Sequence, residues 1–148
     1  MPSKYVPFYN VTQAVGRGGT NSTNDVMLIQ FFLSEIARVP PHPIPPPVTP
    51  LPVNGDPNPL HLLEEWIMWF QSSVRRVGKP ITVDGRVDPA RTFDDYPLVN
   101  NPNTRAFFLD SGTMVNINFT YRRRFTQAHN ALEQAPNFPG QLRALFVD

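Results

Sequence analysis

Val15-Gly16-Arg17-Gly18-Gly19-Thr20-Asn21 runs on through Ser22 and Thr23 into Asn24-Asp25-Val26-Met27-Leu28-Ile29-Gln30-Phe31-Phe32-Leu33, and this stretch decides the fold class. The glycines suit a tight turn that needs positive backbone dihedrals. Asn21-Ser22-Thr23-Asn24 then offers several side-chain oxygens to the unpaired amides of a first helical turn. Apolar residues recur at Val26, Ile29, Phe32, Leu33 and Ile36, the stripe of a helix that buries one face. The helix is expected to end near Arg38-Val39, because Pro40 and Pro41 cannot continue it.

Working outward, residues 40–59 hold ten of the eighteen prolines. The segment reads as a stiff, partly polyproline-II connector lying across its own domain. Pro43-Ile44-Pro45-Pro46 and Pro47-Val48-Thr49-Pro50 also fit the spacing of a ligand for an aromatic groove. A second helix is expected from Pro59-Leu60 to about Gly78, with Leu63, Trp66, Ile67, Phe70 and Val74 on one stripe. Its acids, Glu64 and Glu65, come early and its bases, Arg75 and Arg76, late, as the helix dipole favours. Trp66 and Trp69 read as one ring in the core and one at the rim.

Beyond Pro97 the period changes. Val115 to Tyr121 alternates apolar and polar, the pattern of a strand with one buried face. With Arg105–Leu109 and the turn-forming Asp110-Ser111-Gly112 it predicts a β-hairpin. Arg122 to Gln134 returns to helical spacing through Phe125, Ala128 and Leu132. An isolated hairpin is marginal in water, so it is expected to pack on the helices or to pair with another chain.

The glycine turn, the capped helix with Asp25-Val26, Ile29-Gln30 and Leu33, the helix closing in Ile67-x-x-Phe70-Gln71, and the Asp84-Gly85-Arg86-Val87-Asp88-Pro89 turn together resemble the peptidoglycan-binding-domain-like family. The resemblance covers roughly residues 11–95. It departs from the family where Asn54-Gly55-Asp56 stands in place of the first Asp-Gly turn. It implies a mainly α fold, a small helical bundle at 1–96 carrying the proline-rich insert 40–59. A hairpin-plus-helix extension at 97–148 would pack on it. It also implies a non-catalytic module like those found beside bacterial secretion and phage-tail-like machinery.

Other chemistry finds little footing in the 148 residues. The net charge is +1, so no global field favours nucleic acid or an acidic membrane. Cysteine is absent, which removes disulfides, thiolate catalysis and cysteine-ligated metal. His42, His61 and His129 are far apart and form no metal-ligand spacing, so no metal or cofactor is expected. No Gly-x-Ser-x-Gly elbow occurs, and the glycine turn lacks the Gly-Lys-Ser/Thr ending of a P-loop. Glu64 or Glu65 with Asp84 is the one acid pairing open to glycoside hydrolysis, and any chain with this many acids permits such a pairing. Arg122-Arg123-Arg124 reads as a solvated helix start, or as forked donors for a carboxylate-bearing partner.

Residues 1–10 carry no apolar stretch of signal-peptide length and no run is long enough to span a bilayer, so no signal peptide is expected and the protein is expected to be soluble. It would then be cytoplasmic before non-classical export, or part of a secreted or virion particle. Three Asn-X-Ser/Thr sequons, at Asn10, Asn21 and Asn118, read as chance. Two functions follow. One is recognition of peptidoglycan or a related cell-wall glycan at Asp84, Gly85 and Arg86 with a ring from Trp66 or Trp69. The other is a structural or adaptor subunit of a bacterial secretion, phage-tail-like or filament assembly, joining a protein partner or further copies of itself through the hairpin and the proline segment. Neither is enzymatic.

Overall fold

The computed structural model describes residues 9–90 and 112–144. In chain order these form β1 (Val15–Gly16), α1 (Thr23–Ala37), α2 (Leu60–Arg76), β2 (Arg86–Val87), α3 (Thr113–Arg124), α4 (Thr126–Asn130), a 3-10 turn (Leu132–Gln134) and α5 (Gly140–Arg143). The fold is mainly helical, with one small two-stranded antiparallel pair among the described residues.

Helix α1 is the axle. Every residue from Asp25 to Leu33 is buried. A helix apolar nearly all round needs neighbours on every side, and α1 has them in α2, α3, α5 and β1. The buried cluster runs from Tyr9 to Leu142 and includes residues of all these elements. Its aromatic centre stacks Phe31 edge-on to Phe138 and Phe32 edge-on to Tyr121, each with ring centroids 5.0 Å apart.

The polar residues at the start of α1 serve the preceding segment. Ser22 makes no side-chain cap. Asn21, at φ 57°, instead folds its amide back onto the glycine turn, with Oδ1 accepting from Gly16 N at 2.7 Å. Asp25, in the first turn of the helix, accepts from the amides of Thr12 and Gln13 and from the Thr12 hydroxyl. That carboxylate ties the chain entry to the helix and sits where the dipole favours negative charge.

The glycine turn begins in β1, which pairs with β2 in the register Val15 with Val87 and Gly16 with Arg86. Gly16 is required here. Its φ is +98°, and a Cβ would stand 2.3 Å from the Gly85 carbonyl oxygen.

The proline segment crosses the face of α2. Leu51 is buried, and its carbonyl accepts from the Ser34 hydroxyl. Beyond it, Asn54-Gly55-Asp56 turns back against α1. Gln30 Oε1 accepts from Asn54 N and Gly55 N, and its Nε2 donates to Asp56 O at 2.9 Å.

The expected strand at Val115–Tyr121 is instead helix α3, so the β-hairpin at 105–121 does not form. Its first arm, Arg105–Leu109, lies outside the described residues. The alternation misleads because two of its polar members, Asn116 and Asn118, are interior. Asn118 brackets the Tyr9 backbone, accepting from Tyr9 N at 2.9 Å and donating to Tyr9 O at 2.8 Å. Asn116 donates back to the carbonyl of Gly112. Buried polar groups that are fully bonded look, in sequence, like a solvent face. The helical period is carried by Met114, Ile117 and Tyr121, all buried. Arg122-Arg123-Arg124 correspondingly ends a helix and does not start one, which suits the negative end of its dipole.

Candidate functional site

The turn singled out in sequence, Asp84-Gly85-Arg86, is built around Gln71 of α2. Gln71 is fully buried. Its Oε1 accepts from the amides of Asp84 and Gly85, both at 3.0 Å. Its Nε2 faces three acceptors, Asp84 Oδ1, Arg86 O and Thr113 Oγ1, at 2.9 to 3.0 Å. Asp84 Oδ1 also accepts from Arg86 N, closing the turn. Gly85 sits at φ +72° and passes its carbonyl to Arg17 N at 2.9 Å.

The chemistry-bearing groups of this turn are therefore occupied. Arg86 Nε donates to Asp88 at 2.8 Å, and its Nη1 to the carbonyl of Gly18 at 3.0 Å. Beside it, Arg17 pairs with Glu64 at 2.6 Å. Of the acids considered for hydrolysis, Glu64 and Asp84 are engaged by a guanidinium and by a glutamine amide, and Glu65 is exposed. Ion pairs this exposed contribute about 1 kcal/mol or less, but they define a polar patch around Gly85.

Trp66 and Trp69 are not part of that patch. Glu64 and Met68, one turn apart on α2, face the Gly85 turn. The tryptophans lie on another face, under the proline segment. Trp66 is 5% exposed and Trp69 6%, so neither stands at the rim. Trp66 Nε1 donates to Thr49 O at 2.9 Å and Trp69 Nε1 to Ile44 O at 2.8 Å. The rings meet edge-on at 5.5 Å, and His42 meets Trp69 in the same way. A buried indole needs an acceptor for its N–H, and the proline segment, a strap over α2, provides one for each ring through the carbonyls of Thr49 and Ile44. The arrangement of sugar-stacking ring beside Asp84, Gly85 and Arg86 is thus not assembled.

The histidines also serve the interior or lie apart. His42 contacts Ala37 O at 2.9 Å, His61 is exposed, and His129 is 1% exposed. Among the described residues no group of histidine and acidic side chains could hold a metal ion. No helix among them is long and apolar enough to cross a membrane.

The feature that sequence reasoning missed is a groove of about 400 Å³ between α2, α3 and the start of the proline segment. Ile36, Trp69, Phe70 and Val74 give it an apolar floor. Val77, 62% exposed, stands at its mouth. On its basic side Lys79 Nζ lies 4.6 Å from the centre of the Phe119 ring, and the Arg123 guanidinium 5.6 Å. Ser73 also lines it, with a buried hydroxyl that has no hydrogen-bond partner among the described residues. Arg124 closes one end. Its guanidinium donates to the carbonyls of Ile36, Val39 and Pro41, capping the C-terminus of α1. Burial and the neighbouring Arg123 both lower the Arg124 pKa. The arginine run was the one signal visible in sequence, and it marked only the groove's edge.

Comparison with known protein families, with curated proteins and with solved structures finds no match.

Proposed function

We propose that this chain is a non-catalytic docking module, a structural or adaptor subunit that engages a protein partner through the groove between α2 and α3. The observation that carries this reading is the groove itself, an apolar floor with a solvent-exposed valine at its mouth and cations on one side. Pockets of this size, lined by apolar and aromatic side chains with a few polar groups, are the usual form of an anchor site. The partner would engage the groove and not a hairpin edge, since residues 113–121 are helical.

A second reading, recognition of peptidoglycan or a related glycan, is what the resemblance to the peptidoglycan-binding-domain-like family implies. Its support is the polar patch of Arg17, Glu64, Arg86 and Asp88 around Gly85, whose donors and acceptors suit sugar hydroxyls. Co-sedimentation with intact peptidoglycan sacculi, run beside light scattering of the free protein, separates the two. Failure to pellet supports docking to protein, whether the free chain scatters as a monomer or as a larger particle. Saturable pelleting that an Arg17→Ala, Arg86→Ala double variant abolishes would move the assignment to the glycan.

A further inference from the structure

We infer that the groove takes an acidic polypeptide segment, one or two apolar side chains flanked by Asp or Glu. This inference rests on the docking reading and adds the chemistry of the partner.

Charge is the first argument. Arg17, Arg38 and Arg86 each have a carboxylate at 2.6 to 2.8 Å. Lys79 and Arg123 have none among the described residues, as is also true of Arg75, Arg76, Arg122, Arg124 and Arg143. Lys79 and Arg123 are, however, the two cations among the described residues gathered over one ring, that of Phe119 at the groove's side. Lys79 is half-buried and Arg123 exposed, and two cations set side by side on one ring beside an apolar floor give an incoming carboxylate two donors next to the anchor.

Size is the second argument. About 400 Å³ is at the small end for ligand pockets, enough for an anchor of a side chain or two and not for a whole helix. The third argument is the Ser73 hydroxyl. It is buried, lines the groove and lacks an acceptor among the described residues. An unmet buried donor is costly, and a peptide carbonyl reaching the floor would satisfy it. Apolar anchor, backbone carbonyl and flanking carboxylate are the parts of a peptide in one stretch.

The test is unbiased panning of a random dodecapeptide library against the wild-type chain. Enriched peptides are then measured on Val77→Glu, which blocks the mouth, and on Lys79→Glu, Arg123→Glu, which reverses the rim. All three positions lie at the surface, and retained thermal transitions confirm that the variants fold. The expected result is enrichment of Asp or Glu next to Leu, Phe or Trp. Val77→Glu and the rim variant should each weaken binding by about tenfold or more, and raising salt from about 50 mM to about 500 mM should weaken it as well. Groove-dependent peptides that are neutral or basic would overturn the acidic-partner inference while leaving docking intact. Enrichment indifferent to Val77→Glu, or no enrichment at all, would overturn the docking reading itself.

Discussion

Gln30 of α1 and Gln71 of α2 perform the same task at two places in the chain. Each places Oε1 on two successive amides of a turn, Asn54 and Gly55 for one, Asp84 and Gly85 for the other. Each donates from Nε2 to the carbonyl one residue further on, Asp56 or Arg86. In both turns the first side chain accepts from the third residue's amide, and the glycine has a positive φ. The separations differ, 24 residues against 13, and the proline strap lies within the longer one. The turn that stood out as a binding motif is therefore one of a pair of structural clamps.

The two clamps should differ in strength. Gln71→Ala would leave the buried Gly85 amide and the Thr113 hydroxyl unmet, where water has little access. Gln30→Ala would likewise orphan the buried Gly55 amide, but Asn54 and Asp56 are exposed, so water can replace the rest of what Gln30 supplies. With about 1–3 kcal/mol for each buried group orphaned, we expect a loss of about 3 kcal/mol for Gln71→Ala and about 2 kcal/mol for Gln30→Ala. Urea unfolding of the two variants measures this, and an equal or reversed order would show that Thr113 adds nothing to the second clamp.

Gly16 and Gly78 have the same φ, +98°, and opposite surroundings. At Gly16 a methyl group would meet the Gly85 carbonyl at 2.3 Å and Ile67 Cδ1 at 2.8 Å. That carbonyl is held in place, because it accepts from Arg17 N and the Arg86 N–H of the same peptide donates to Asp84 Oδ1. At Gly78 there is nothing within 4 Å. Gly78→Ala should cost only left-handed backbone strain, about 1–2 kcal/mol, while Gly16→Ala should cost at least about 3 kcal/mol or abolish folding. Paired thermal melts decide it.

How far the sequence could be read follows from where each signal resides. Helices α1 and α2 were legible because apolar spacing and proline punctuation are local properties. Helix α3 was not, because Asn116 and Asn118 are polar residues of the interior, and only their partners at Gly112 and Tyr9 reveal it. The tryptophan pair was legible as aromatic mass but not as to which way it faces. The strap holds both rings through the carbonyls of Ile44 and Thr49, groups that every residue carries. The groove draws on segments near 36–43, 69–79 and 116–124, each of which alone reads as ordinary helix or connector.

Trp69 should behave as a core residue. Trp69→Ala would remove a buried ring and leave Ile44 O unpaired, so the expected loss is about 3–5 kcal/mol, with the thermal transition shifted far down or gone. Trp69→Phe retains most of the packing but not the N–H, and should lose about 1–3 kcal/mol. An unchanged transition in Trp69→Ala would mean that the strap does not cover the ring in solution, and fluorescence of the wild type would then peak at the wavelength of a hydrated indole.

Acid should destabilise the fold through His129. Asn118 Oδ1 can only accept, so His129 Nε2, 3.1 Å away, is the donor. Nδ1 is then the bare acceptor, and it has no partner among the described residues. Protonation would place a second N–H, and a charge, in a site closed by Tyr9 and Tyr121. Burial, aided by the Arg122 charge, accordingly lowers the His129 pKa from 6.5 to about 4. The folded pKa is below the unfolded one, so the unfolded chain takes up the proton first as pH falls. Stability is full above about pH 6.5 and is lost between there and about pH 4, where the folded state also protonates. At about 1.4 kcal/mol per unit the total is about 3 kcal/mol. Urea unfolding from pH 7.5 to pH 4 should show this slope in the wild type and a shallower one in His129→Gln, which has a neutral amide there. Parallel slopes would assign the acid sensitivity to the carboxylates instead.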